Sequence, residues 1–182
     1  PSKRSQLGAH YTNPETILRL VDPVVKRPLI TEWSRATARI SELIDKRDAL
    51  REEAKSIVDK AKFSRARTAA NDAERAAQKI FNEYLERLKE FRILDPACGS
   101  GNFLYLSLKA LKDIEHTVNL EAEFLGLQRQ VDVTGPHNVL GIEINEFAAE
   151  LARVTVWIGE LQWRVLHGYG FKTFSSVQIA RA

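Results

Sequence analysis

The sequence predicts an α/β fold dominated by helix, in which a small parallel sheet carries a long antiparallel helical hairpin. Three observations predict it. Residues 33–91 contain neither Gly nor Pro and repeat their apolar positions at 3,4 spacing. Ile93-Leu94 is a short apolar run that ends at Asp95, meets a glycine-rich turn and passes into a helical pattern from about Asn102. Residues 139–144 form a second, β-branched run followed by a capped helical pattern. Strand–turn–helix followed by strand–helix is the order of a parallel sheet.

Each element has a local justification. Asn13-Pro14-Glu15 is a helix start, with Asn as N-cap, Pro at the first helical position and an acid in the first turn; Thr12 and Glu15 offer an alternative capping box. Ile17, Leu20, Val21 and Val24 follow at helical spacing, and Pro23 and Pro28 should kink or end that helix. In the hairpin, Ile40, Leu43, Leu50, Ala54, Ile57 and Ala61 form one seam, interrupted by Arg47. Ala66, Ala70, Ala73, Ala77, Ile80, Tyr84, Leu88 and Phe91 form the other, and the turn between them is expected around Phe63-Ser64. After the second strand Asn145 caps a helix whose buried stripe should be Phe147, Leu151, Val154, Ile158, Leu161 and Val165. Trp157 and Trp163 lie on that helix and read as core or interface packing. Residues 116–137 form a long insertion with no evident pattern. The expected organisation is thus residues 1–30, a hairpin over 31–91, and the first part of an α/β domain over 92–182.

Composition excludes several classes of protein. The 182 residues are 44% apolar and 28% charged, which suits a folded globular chain. No apolar run is long enough to span a membrane. The single cysteine, Cys98, rules out an intrachain disulfide and a zinc site built from cysteines. There is no methionine and no signal peptide at the basic amino terminus, which fits a piece of a longer, cytoplasmic protein. The net charge of +3 does not by itself argue for nucleic acid. Over residues 33–92 the charges are interleaved, 15 cations against 11 acids, so the hairpin reads either as a solvated spacer or as a DNA-contacting arm.

The chemistry concentrates in Asp95-Pro96-Ala97-Cys98-Gly99-Ser100-Gly101-Asn102-Phe103. Glycines after a strand let the backbone turn sharply and approach a ligand, and the following helix points free N–H groups at it. An acid at the strand's carboxyl end lies where open α/β sheets bind ligands. The loop has no Gly-Lys-Ser/Thr and no Gly-x-Gly-x-x-Gly, so it is neither a P-loop nor the dinucleotide fingerprint. An acid ahead of the glycines suits a cationic ligand group better than a pyrophosphate. Glu143, ending the second strand, can accept hydrogen bonds from both hydroxyls of a ribose. Cys98 reads as a packed small residue rather than a nucleophile. His10, His116, His137 and His167 show no catalytic or metal-ligand spacing.

Residues 95–104, Asp-Pro-Ala-Cys-Gly-Ser-Gly-Asn-Phe-Leu, resemble motif I of the adenine-N6 DNA methyltransferases, class I enzymes that use S-adenosyl-L-methionine. Gly8-Ala9-His10-Tyr11-Thr12-Asn13-Pro14 resembles their motif X, and Gly141-Ile142-Glu143-Ile144-Asn145 their motif II. The order X, I, II is that of the gamma arrangement. The resemblance is strongest to the MmeI-like methylases of type II restriction–modification systems, with the BREX-type phage-defence methylases as near relatives. It spans residues 8–145 and implies a Rossmann-like methyltransferase core, cut shortly after its second strand, into which the hairpin is inserted.

The resemblance also implies roles. Asp95 would hold the cofactor's ammonium, directly or through water. Pro96, Ala97, Cys98, Gly99, Gly101, Asn102 and Phe103 would form the loop around it, with Ala97, Gly99 and Gly101 allowing backbone contact to the methionine part. Tyr11 and Thr12 would close over the cofactor, Thr12 near its carboxylate. Glu143 would bind the ribose, and Ile144 would pack on the adenine. Such enzymes position a flipped adenine with an Asn/Asp-Pro-Pro-Tyr/Phe tetrad. No two prolines are adjacent in this chain, so the expectation is a fragment that binds cofactor and does not methylate alone. Duplex DNA is the implied partner of the full-length protein, no membrane is involved, and an exposed sheet edge invites self-association. Two other readings stand beside this one: methylation of cytosine N4, RNA or protein, and a non-catalytic interaction module whose working surface is the hairpin.

Overall fold

Asn13 caps the first helix as its sequence predicts: its side chain accepts the Glu15 N–H at 3.0 Å, and Pro14 follows at the first helical position. The structure, a computed structural model, describes residues 13–170 and 176–181. Helix α1 spans Pro14–Val21. The prolines do not end it. A π-helical segment, Asp22–Lys26, absorbs Pro23, with the Arg27 N–H donating to the Asp22 carbonyl five residues back. Helix α2 then runs from Arg27 to Lys55. The wider turn makes room for a residue that has no N–H to give, and Pro28 falls in the first turn beyond it, where a missing N–H costs little.

Helix α3 spans Lys60–Glu90 and packs antiparallel to α2. The turn lies at residues 56–59, not at Phe63-Ser64. Asp59 decides its position, because its carboxylate accepts the Lys62 N–H at 2.7 Å and caps α3, a service that Phe63 cannot provide. Ile40, Ile44 and Ala54 are buried on one side and Ala70, Ala73, Ala77 and Phe81 on the other. Arg47, which interrupts the first seam, reaches across to Glu74 at 3.4 Å.

Strands β1 (Ile93–Asp95), β2 (Val139–Glu143) and β3 (Gln178–Arg181) form a parallel sheet in that order. Asp95 aligns with Gly141, and Glu143 with Arg181. β3 has no counterpart among the expected elements; its four residues, Gln-Ile-Ala-Arg, are too few and too mixed to stand out. Helix α4 (Asn102–Phe124) takes in the first part of the supposed insertion, burying Leu104, Leu108, Leu111 and Val118. The loop after it is held by the buried Glu115 carboxylate, which accepts the N–H groups of Val133 (3.1 Å) and Thr134 (2.9 Å). Asn138, fully buried, donates to the carbonyls of Leu88 (3.0 Å) and Phe91 (2.8 Å) and so pins the base of the hairpin to the start of β2.

Helix α5 (Glu146–Leu166) presents a different face from the expected one. Phe147, Leu151, Val154, Ile158 and Val165 are exposed, and Ala148, Ala149, Ala152, Val156, Gly159 and Trp163 are buried. Close approach explains the choice. A Cβ on Gly101 would meet Ala152 Cα at 2.9 Å, and one on Gly159 would meet the Tyr105 ring at 2.1 Å. Only the small-residue face of α5 fits against α4 at that distance. Among the described residues no helix is long and apolar enough to cross a membrane.

Candidate functional site

The carboxyl ends of β1 and β2 frame one cavity. Beyond Asp95 the chain turns back on itself, with Asp95 Oδ1 accepting the Ala97 N–H at 3.0 Å. The Cys98 N–H donates to the Ile142 carbonyl at 3.1 Å and ties the loop onto β2. Gly99 then takes φ +51°, a left-handed backbone that favours glycine. The Cys98 side chain is buried over Gly141, where a Cβ would come within 2.7 Å of its Sγ. Gly141 thus leaves the room that lets the loop lie flat on the strand.

Glu143 is fixed from two sides. Its Oε2 accepts the Gly99 N–H at 2.8 Å and its Oε1 the Asn145 N–H at 2.8 Å. Asn145 in turn caps α5 through the Ala148 N–H at 3.0 Å. Each carboxylate oxygen has two acceptor positions, so both Glu143 oxygens keep one open, and Asp95 keeps more. The cavity between them measures about 490 Å³, within the range of small-molecule sites. Its lining includes Asp95, Pro96, Ala97, Cys98, Gly99, Asn102, Phe103 and Glu143. Burial, together with the negative charges of Asp95 and Glu143, pushes the Cys98 thiol up to about 11, so it stays protonated near neutral pH. That fits a packing role.

The structure therefore brings eight of the expected residues to one cavity. Gly101 is not on its wall: at φ +85° it starts α4 and packs against Ala152. Ile144 is 78% exposed and also lies off the lining. Tyr11 and Thr12 fall outside the described residues. Sequence reasoning missed Ile17 and Leu20, which α1 contributes to the wall, and Leu94 and Ser100. The signal for the first two was present: three residues apart, they share one face of α1, and the sequence alone did not say what that face covers. Among the described residues no cluster of three or more His, Cys, Asp or Glu could hold a metal ion. The site offers acceptors, a glycine turn and an apolar wall. It suits a ligand with a positive group and vicinal hydroxyls.

Residues 68–177 match the family described as MmeI, DNA-methyltransferase domain. Among curated proteins, the chain is 38% identical over 79 residues to DNA methyltransferase A of Bacillus subtilis, covering 43% of this chain and 9% of that protein. It is 27% identical over 164 residues to a Methanocaldococcus jannaschii protein designated a type II restriction enzyme and methyltransferase, covering 86% of this chain and 12% of that one. Its fold is similar to that of the Type IIL restriction-modification enzyme MmeI, solved in complex with DNA, with TM-score 0.58 and 24% identity over 99% of this chain and 20% of that one. The chain thus spans a fifth or less of the length of these relatives. With the family match extending over more than half of its residues, the chain belongs to the MmeI DNA-methyltransferase domain family.

Proposed function

We propose that this chain is the cofactor-binding part of a DNA methyltransferase from a restriction–modification or related phage-defence system, acting with S-adenosyl-L-methionine on adenine N6. The observation that carries the reading is the pair Asp95 and Glu143, at the ends of adjacent parallel strands, across a glycine turn that both help to shape. The donor set fits the group: open acceptor positions on two carboxylates, backbone brought close by Gly99, and an apolar wall. When bound, S-adenosyl-L-methionine supplies an electrophilic methyl group on a sulfonium. Asp95 would hold its ammonium and Glu143 its ribose hydroxyls. Ala97 and Gly99 would meet the methionine part through their backbone. Phe103, with Ile17 and Leu20, would keep water from one side. The N6 assignment and the roles of Tyr11, Thr12 and Ile144 rest on the motif resemblance. The core would be Rossmann-like, and duplex DNA would be the substrate of the longer protein.

The chain has no Asn/Asp-Pro-Pro-Tyr/Phe tetrad to hold a flipped base, so alone it should bind cofactor and leave DNA unmethylated. Calorimetric titration with S-adenosyl-L-methionine, repeated on Asp95→Ala, tests this. Saturable heat that the substitution removes supports the proposal. A folded chain that gives no heat contradicts it.

A further inference from the structure

The net charge of the chain is concentrated in one place. Residues 51–71 contain six cations and three acids, while the remaining residues hold twenty-one of each. The whole excess of +3 therefore sits on the hairpin tip, which the turn at 56–59 defines. Averaged over residues 33–92 the excess looks interleaved; placed on the structure it is local.

Lys60, Lys62, Arg65 and Arg67 make up its core. No acid occurs between residues 60 and 71, and all four side chains are exposed. The cations that flank it on either side are ion-paired: Arg51 with Glu74 at 2.9 Å, Lys55 with Glu52 at 2.5 Å, Arg75 with Asp72 at 3.5 Å and Lys79 with Glu83 at 3.8 Å. Among the described residues the four tip cations have no ion-pair partner. Asp59, the nearest acid in sequence, is engaged in capping α3. Lys62 and Arg65 form a like-charge pair three residues apart, an arrangement that costs a helix stability. Lys60 and Lys62 sit in a first turn, where the helix dipole favours acids instead. Among the described residues only the Asp59 cap offsets these costs.

The tip is also remote from the cavity. Leu20 lines the cavity and Lys55 ends α2, so along the helix the two are separated by about 50 Å at 1.5 Å per residue. The Trp33 indole N–H donates to Glu121, near the far end of α4, at 2.5 Å, so the hairpin leaves the α/β body at the end opposite the cavity. A partner here is held by charge at a distance from any reacting group.

We infer that this tip, with Lys60, Lys62, Arg65 and Arg67 as its contacts, binds the phosphate backbone of duplex DNA independently of sequence. The inference rests on the reading that DNA is the substrate. Duplex DNA carries one phosphate per about 3.4 Å along each strand, and four exposed cations along about 10 Å of helix are spaced at about the same interval. The hairpin is then an electrostatic arm rather than an inert spacer.

The test is fluorescence anisotropy of this chain with a labelled duplex of random sequence, across a series of salt concentrations. Two variants of equal charge are compared: Lys60→Gln/Lys62→Gln/Arg65→Gln/Arg67→Gln, and Arg75→Gln/Lys79→Gln/Arg87→Gln/Lys89→Gln, whose cations are ion-paired in the parent. Each lost phosphate contact lowers the slope of log affinity against log salt by about 0.9. The tip variant should lose about 3 units of slope and the control less than about 1. A measurement without substitutions accompanies it: duplex should shield the tip from trypsin cleavage after residues 60–67. Equal losses in both variants, absence of duplex binding, or unshielded cleavage overturns the inference. So does a tip-dependent preference for polyglutamate over duplex, which would assign the surface to an acidic protein. A failure to bind S-adenosyl-L-methionine would remove the proposed function while leaving the slope measurement intact, so the two failures are distinguishable.

Discussion

Replacing Gly141 by Ala adds a single methyl group at the point where the loop after Asp95 rests on the sheet. The new Cβ would lie 2.7 Å from Cys98 Sγ, 3.0 Å from Leu104 Cδ1 and 3.2 Å from Cys98 Cβ. The sulfur could swing away, but Cys98 Cβ is fixed by a backbone that bonds Ile142 at 3.1 Å, so the loop itself must lift. Overpacking of this kind costs about 1–3 kcal/mol, and we expect about 2. For a domain of this size that lowers the melting temperature by roughly 4–8 °C. Lifting the loop also strains the 2.8 Å bond from Gly99 to Glu143, so cofactor affinity should fall by about tenfold or more. Cys98→Ala removes the sulfur that takes the closest contact. In that background Gly141→Ala should cost at least about 1 kcal/mol less, a coupling of the size expected between touching residues. Urea unfolding followed by circular dichroism, on the parent, both single variants and the double variant, measures it. Costs that add to within about 0.5 kcal/mol would refute the reasoning, because the clash would then lie elsewhere.

Three further predictions follow from groups that the site does not use. Lys112 Nζ pairs with Glu160 Oε1 at 2.9 Å, both side chains are almost wholly buried, and Glu160 Oε2 has no hydrogen-bond partner among the described residues. Lys112→Met should therefore cost about 3–5 kcal/mol in urea unfolding, and adding Glu160→Leu should recover most of it. Asn138→Ala removes the donors to the carbonyls of Leu88 and Phe91 and should cost about 2–3 kcal/mol in the same assay. Burial, aided by His167 for His116 and by Arg92 for His137, holds both imidazoles below their ordinary value. Between those lowered values and about 6.5 the unfolded chain binds more protons than the folded one, so stability rises with pH there and is lost on acidification. Thermal melts at pH 7.5, 6.5 and 5.5 should show a decline that flattens in His116→Gln/His137→Gln; greater stability of the parent at pH 5.5 would contradict it.

The parts of this molecule legible in the sequence were those fixed by local chemistry. The Asn13-Pro14 cap, the turn beginning at Asp95 and the Asn145 cap all depend on neighbours a few residues away, and each is where it was expected. The two acids of the cavity were legible one at a time, each as the end of a short apolar run, and the register of two adjacent strands then brings Asp95 and Glu143 together. What the sequence hid depends on distance. Helix α5 has two apolar faces, and the choice between them is made by Gly101 and Tyr105 on another helix. Pro23 looked like a stop because a π turn leaves no mark in an apolar pattern. The hairpin turn was displaced because the 3,4 spacing runs through residues 56–59 without interruption, and only the Asp59 cap marks the break. Ile17 and Leu20 belong to the site because α1 packs on α4, a contact between segments far apart in the chain.

The central claim is that Asp95 and Glu143 divide one ligand between them, the first taking a cationic group and the second a nucleoside. The most direct test is calorimetric titration of the parent chain, Asp95→Ala and Glu143→Gln with S-adenosyl-L-methionine and separately with adenosine. The account predicts that Asp95→Ala weakens the full cofactor and leaves adenosine unchanged, whereas Glu143→Gln weakens both. If the two substitutions weakened both ligands alike, or if neither ligand bound the folded parent, the division of the cavity between the two carboxylates would be wrong.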